Sequence, residues 1–304
     1  MDLDALVAPL RADVRGGAAE LAGSAVALFE AALAESAATD VEDFRAFLSR
    51  LAARTLEAQP SMAPLVTLAA TVLLAASGTA SVEEARAATR RALDRFRERI
   101  RSASREAAAR AEGLIPAGGR VLTVSSSSTV RAALLEAAKR RSFDVVCLEG
   151  RPNFEGRSLA AALAAAGVRV TLAVDAAVAA VIRGCDVVLT GADSIGDLGV
   201  VNKIGTRPAA QAAKSAGIPI YALADTTKIL PCGVPQLVED DRPAAEVWPE
   251  APPGVAIWNR YFEATPLSLF AGVVTEAGLR TPAELEELRA GLELPAELRR
   301  LLAR

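Results

Sequence analysis

Any chemistry in this 304-residue chain must be carried by carboxylates, lysines, serines or thiols, because the sequence contains no histidine. That removes the commonest general base, Ser–His triads and most catalytic zinc sites. The densest group of chemical side chains is GADSIGDLGVVNKIGT, residues 191–206. There an apolar run, CDVVLT, leads into four glycines with Asp193, Asp197, Asn202 and Lys203. The stretch reads either as a surface turn between a strand and a helix or as the floor of an active site. Four adjacent serines, Ser125–Ser128, end another apolar run and open a helical pattern. Their hydroxyls and backbone N–H groups suit a phosphate, and plain helix N-capping is the competing reading. Composition sharpens the choice. The chain has 30 arginines but four lysines (Lys139, Lys203, Lys214, Lys228) and three asparagines (Asn153, Asn202, Asn259). Positions that keep types used so sparingly are the first to inspect. The three cysteines, Cys147, Cys185 and Cys232, are widely spaced and odd in number. They suggest neither a disulfide framework nor a zinc site, and each is expected to be a buried structural thiol. No metal site is expected.

These residues need elements to hold them. Residues 1 to about 112 read as all-helical: alanine, leucine, glutamate and arginine dominate, and apolar residues recur at threes and fours in LAGSAVALFEAALAE and VEDFRAFLSRLAARTLEA. A long charged helix starts near Ser81, which is placed to cap it, with Glu84 completing a capping box. Gly113, Pro116, Gly118 and Gly119 mark a boundary. Beyond it the period changes. Short valine-rich runs at 120–126, 144–150, 168–175, 185–193 and 219–225 alternate with helical segments, which predicts a parallel sheet covered on both faces. The fold class expected is α/β: an N-terminal all-helical domain, 1–115, then a Rossmann-like domain with a mainly parallel sheet, 116–304. The last twenty-odd residues read as an amphipathic helical tail broken at Pro295.

Ligands in such sheets bind beyond the carboxyl ends of the strands. The groups placed there are Ser125–Ser128, then Glu149 and Arg151, then Asp175, then Asp193, and finally Asp225 with Lys228. Cations and a helix N-terminus beside several carboxylates suit a sugar phosphate. No G-x-G-x-x-G follows the first strand and no P-loop is present, so no cofactor is expected. A net charge of −3 without a basic block argues against nucleic acid as a partner. The longest apolar run, VTLAATVLLAA at 66–76, is too short to span a bilayer, and the first residues lack a signal-peptide core. The expectation is a cytoplasmic protein with no membrane partner.

Several of these stretches, in this order, resemble one family. VRGGAAELA (14–22), LEGRPNFEGRSLA (148–160), VTLAVDAAVAAVI (170–182), the 191–206 stretch and IWNRYFEATPLSLFAGVVTEAG (257–278) are similar to the family uniting the alpha, beta and delta subunits of eukaryotic translation initiation factor 2B with methylthioribose-1-phosphate isomerase and ribose-1,5-bisphosphate isomerase. The resemblance implies that Asp193 is a catalytic acid–base residue, its carboxyl raised by partial burial. It implies that Arg15, Gly16 and Gly17 hold a phosphate with Ser126 and Ser127, that Asn202 and Lys203 contact substrate, and that Arg151 and Lys228 are further anion ligands. It also implies assembly through the sheet domain, as a homodimer or larger homo-oligomer. FEATP and the apolar LSLFAGVV after it read either as interface or as ordinary core.

One departure governs the functional expectation. Where the isomerases carry a Thr-His-Cys-Asn-Ser-like segment, this chain has TVSSS, so Ser125 stands at the cysteine and Val124 at the histidine. A hydroxyl is a far weaker acid than a thiol and has no histidine to assist it. The preferred expectation is therefore an initiation factor 2B-like protein that binds a phosphorylated sugar or nucleotide without Cys-dependent isomerisation. The alternative is an aldose–ketose isomerase in which Asp193 acts with water, Ser125 or another group relaying the proton.

Overall fold

A computed structural model describes residues 2–14, 16–238 and 241–302. Five helices come first: α1 Leu3–Ala12, α2 Ala18–Glu35, α3 Val41–Ala58, α4 Ala63–Ala76 and α5 Val82–Ala111. Their apolar faces make one core containing Phe29, Phe44, Leu48, Leu68, Leu93 and Phe96. Ser81 caps α5 by accepting the Glu84 N–H at 3.1 Å, but the predicted box does not close on Ser81. The Glu84 carboxylate reaches one residue further back, to the Ala80 N–H at 2.9 Å. At 30 residues, α5 is about 45 Å long. Its first two thirds belong to the helical core, while Ala108 and Ala111 pack against the sheet.

The second part alternates as expected: β1 Arg120–Val124, α6 Ser128–Ala138, β2 Asp144–Leu148, α7 Glu155–Ala165, β3 Arg169–Ala173, α8 Val178–Val181, β4 Val187–Thr190, β5 Ser194–Gly196, β6 Gly199–Lys203, α9 Thr206–Ala216, β7 Ile220–Leu223, β8 Phe262–Thr265, β9 Gly272–Thr275 and β10 Gly278–Arg280, then α10 Pro282–Ala290 and α11 Ala296–Leu302. The main sheet has the order β10-β9-β7-β4-β1-β2-β3, parallel except for β10. Valine and leucine on β1, β2 and β4 are buried on both faces. Val121, Val145 and Leu189 meet α5, α6 and α7, while Leu122, Val146 and Val188 meet α8, α9 and α10. The edge strand β3 differs: Leu172 is 44% exposed, although Val170 of the same strand packs against the α6–α7 side of the core.

The 191–206 stretch holds two strands that its composition concealed. β5 and β6 form a hairpin turning at Asp197–Leu198, and β8 adds a third antiparallel strand. Three to five residues carry too little alternation to show period two. FEATP supplies β8, and LSLFAGVV is ordinary core, with Leu267, Phe270, Val273 and Val274 buried. The tail returns to the helical layer, where Leu298 joins its core.

Candidate functional site

Strand order reverses between β1 and β4, since α6 and α7 carry the chain to one side and α9 carries it to the other. The carboxyl ends of such neighbours diverge and leave a crevice. Ser125 ends β1 and Asp193 follows β4, so the topology puts them across that crevice. A cavity of about 780 Å³ lies there, closed on its far side by Gly16, Gly17 and Met62 of the helical layer.

Asp193 anchors the cavity floor. Its N–H donates to the Val201 carbonyl at 2.8 Å and its carbonyl accepts the Ala63 N–H at 3.2 Å, tying hairpin, sheet and α4 together. Its carboxylate accepts the N–H of Ala18, the first residue of α2. Burial pushes the carboxyl above its ordinary range; Lys228, Lys203 and the Ala18 N–H oppose that shift, and Glu155 adds to it. Asp193 is half-buried and lines the cavity.

The two lysines play different parts. Lys203, 10% exposed along its side chain, pairs with Glu155 Oε1 at 2.5 Å and lies over the Tyr261 ring at 4.7 Å. Lys228 is 4% exposed and has no hydrogen-bond or ion-pair partner among the described residues. It sits at the end of the turn Thr226–Lys228, itself fixed by Thr67 Oγ1 donating to the Thr227 carbonyl at 2.8 Å. A buried ammonium is costly without an anion, and here Asp193 is the nearby charge. Asn202 donates Nδ2 to Thr206 Oγ1 at 2.9 Å, and that hydroxyl donates to the Lys203 carbonyl at 2.7 Å. This leaves the Asn202 carbonyl on the cavity side, near Gly191. Gly191 allows no side chain, because a Cβ would stand 2.7 Å from Ser127 Cβ and Oγ.

The serine run divides its labour. Ser127 caps α6, accepting the Val130 N–H at 3.4 Å, so the capping reading holds for that residue while it also lines the cavity. Ser126 is exposed at the rim. Ser125 is 5% exposed and held at φ 59°, a left-handed conformation rare for a residue with a Cβ. Its hydroxyl has no hydrogen-bond partner among the described residues.

Other expected groups are already engaged or sit elsewhere. Arg15 lies outside the described residues. The amide of Gly16 donates to Asp13 Oδ1 at 2.8 Å and that of Gly17 to Glu20 Oε2 at 3.2 Å, so an anion there would displace those carboxylates. Arg151 turns away from the cavity: its Nη2 donates to the Val247 carbonyl at 3.1 Å, and its guanidinium stacks on Phe154. Asp175 braces that turn by accepting the Gly150 and Arg151 N–H groups at 2.9 and 2.7 Å. Glu149 pairs with Arg157, and Asp225 accepts from Thr227. The expectation for the thiols fails at Cys232, which is exposed. Cys147 and Cys185 are buried, and burial pushes the Cys147 thiol up to about 12, too weak an acid to replace the missing one. Among the described residues no cluster of histidine, cysteine or carboxylate is placed to hold a metal ion, and no helix is long and apolar enough to cross a membrane.

Several polar cavity residues were not among the sequence candidates, notably Asn153 and Glu155, with Glu20, Arg131 and Ser158. The asparagine count pointed to the first. Glu155 opens α7 just beyond the carboxyl end of β2, the sheet edge where ligands collect, and that position was its only signal.

Residues 14–282 match the initiation factor 2 subunit family. The chain belongs to that family. It is 35% identical over 208 residues to a ribose 1,5-bisphosphate isomerase of Archaeoglobus fulgidus, covering 66% of each sequence. The chain thus spans just under two thirds of that relative's length. A ribose 1,5-bisphosphate isomerase of Haloferax volcanii is 31% identical over 284 residues, 88% of this chain and 85% of the relative. The crystal structure of the Pyrococcus horikoshii translation initiation factor eIF-2B superposes with a TM-score of 0.80 at 27% identity, over 92% of this chain and 97% of that one. This family membership accounts for the helical layer and sheet together, not for the sheet alone.

Proposed function

We propose that this initiation factor 2 family member is an aldose–ketose isomerase of a 1-phosphorylated pentose, with Asp193 as a proton-transfer group. The observation that carries the reading is Lys228, a buried lysine with no hydrogen bond or ion pair among the described residues, lining the same cavity as Asp193, the charge nearest to it. An anionic ligand would satisfy Lys228, and a carboxyl raised by burial keeps its proton to higher pH than an ordinary aspartate and so suits proton transfer better. Asn202, Lys203 and the Ser126–Ser127 turn line the same space and suit hydroxyl and phosphate oxygens. Two relatives named as ribose 1,5-bisphosphate isomerases favour turnover over the simple binding preferred from the sequence. Binding without turnover is the second reading, and Ser125 in place of a thiol favours it.

Thermal shift with ribose-1,5-bisphosphate, ribose 1-phosphate, ribose 5-phosphate, methylthioribose-1-phosphate and nucleoside monophosphates tests the site. At least one phosphopentose should raise Tm, and Lys228→Ala should weaken its binding about tenfold or more, roughly the 1.4 kcal/mol of one lost charge-assisted contact. Carbon NMR of the stabilising aldose should then show a ketose. No stabilising ligand sinks the site, and a stabilising ligand that is never converted leaves only the binding reading.

A further inference from the structure

Two residues of this cavity, Ser125 and Glu155, flank Gly150, and each has an oxygen with no hydrogen-bond partner among the described residues. Glu155 spends Oε1 on Lys203, while its Oε2 is buried and accepts no hydrogen bond. Ser125 is buried, and its hydroxyl is equally uncommitted. Gly150, at φ 74°, is the space between them. A Cβ built there would stand 3.1 Å from Glu155 Oε2 and 3.2 Å from both Cα and Cβ of Ser125. Ser125 Cβ and Glu155 Oε2 thus flank the same glycine, and Gly150 keeps the space between them free of a side chain. Lys203 and the Tyr261 ring fix the other end of that carboxylate.

We infer that Ser125 and Glu155 form a proton relay, with the Ser125 hydroxyl meeting the sugar and Glu155 Oε2 taking the serine proton. The relay rests on the isomerase reading above and supplies the second proton-transfer position that the missing thiol leaves vacant. Protonated Asp193 gives its proton to the ring oxygen as the C1–O bond breaks. The hydroxyl on C2 gives its proton to Ser125 Oγ while the Ser125 proton passes to Glu155. The C2 hydrogen moves to C1 with its electron pair, leaving a ketone at C2 and the phosphate on C1. The sugar keeps every atom, one proton has moved from Asp193 to Glu155, and water returns it. A serine needs no raised acidity for this, because it gains one proton as it loses another.

The test compares wild type with Glu155→Gln, Glu155→Asp, Ser125→Ala and the Gln/Ala double variant, measuring ribose-1,5-bisphosphate binding by thermal shift and conversion by NMR between pH 5 and 9. A relay predicts that Glu155→Gln and Ser125→Ala bind within about threefold of wild type yet convert the sugar about 100-fold or more slowly. It predicts that the double variant is no worse than the poorer single one, as expected of groups acting as a unit, and that Glu155→Asp recovers part of the rate and the wild-type pH profile. If one variant fails to fold, the other still carries the comparison. Wild-type turnover in either single variant, or losses that multiply in the double, overturns the relay and leaves the isomerase reading standing. A wild-type protein that binds the sugar without converting it overturns both.

Discussion

Asp193 is the residue on which most of the site's electrostatics turns. Its desolvation outweighs two nearby lysines and the Ala18 N–H, so its carboxyl is raised in the folded state. The folded chain therefore holds that proton to higher pH than the unfolded chain, whose aspartate titrates near 3.9. Between those two values the native state binds more protons, and stability falls as pH rises. Below pH 4 the penalty is absent, and above the folded pKa it is complete. Asp193→Asn keeps an acceptor for Ala18 and removes the charge. It should raise Tm at pH 7.5 by roughly 2 °C, about 1 kcal/mol for a chain of this size, with the gain vanishing towards pH 4. A variant less stable than wild type at pH 7.5 would show that Lys228 and Lys203, rather than burial, dominate. On the proposed function the same substitution should abolish sugar conversion, a trade of stability against chemistry at one residue.

At the scale of elements, the site depends on how β6 delivers Asn202 and Lys203 to the start of α9. Gly205, at φ 101°, precedes that helix and has no side chain to cap it. Glu263 on β8 takes over, accepting the N–H groups of Gly205 at 2.6 Å and Arg207 at 2.9 Å. Burial raises its carboxyl, and those backbone donors oppose the shift. Glu263→Ala leaves the Gly205 and Arg207 N–H groups without that acceptor, beside the Asn202–Thr206 bond. Urea denaturation should show a loss of about 1–2 kcal/mol, and Glu263→Gln should lose less because it keeps one acceptor. Equal stability of Glu263→Ala and wild type would mean that water caps α9 instead. The parallel strands were legible because each is a valine-rich run bounded by turn residues. The β5–β6–β8 sheet was not, since its strands are short and β8 lies some sixty residues from its partner. Glu155 was hidden for a related reason: a helix-opening glutamate looks like any favourable dipole partner, and only the folded chain sets it against Ser125.

For the molecule as a whole, the cavity is a seam between the helical layer and the sheet, so anything that fixes that layer fixes the site. Residue types and period identified both layers, but not what joins them. α5 runs through both cores, and α4 bonds to Asp193 and to the Thr226–Lys228 turn. The tail closes the arrangement from the other end. Arg289 of α10, 1% exposed, donates to the Leu230 carbonyl at 3.0 Å and pairs with Asp197 in the β5–β6 turn. α11 then buries Leu298 in the helical core, and Glu297 accepts from Ser49 of α3. A tail that only covered surface would tolerate truncation of its side chains. A tail that completes the core would not: Leu298→Ala opens a cavity at a fully buried position and should cost about 2–4 kcal/mol in urea denaturation. Since α3 and α4 carry that contact, the variant should also weaken phosphopentose binding although Leu298 does not line the cavity. A cost under about 0.5 kcal/mol, the range of ordinary surface changes, would show that the helical layer holds its position without α11.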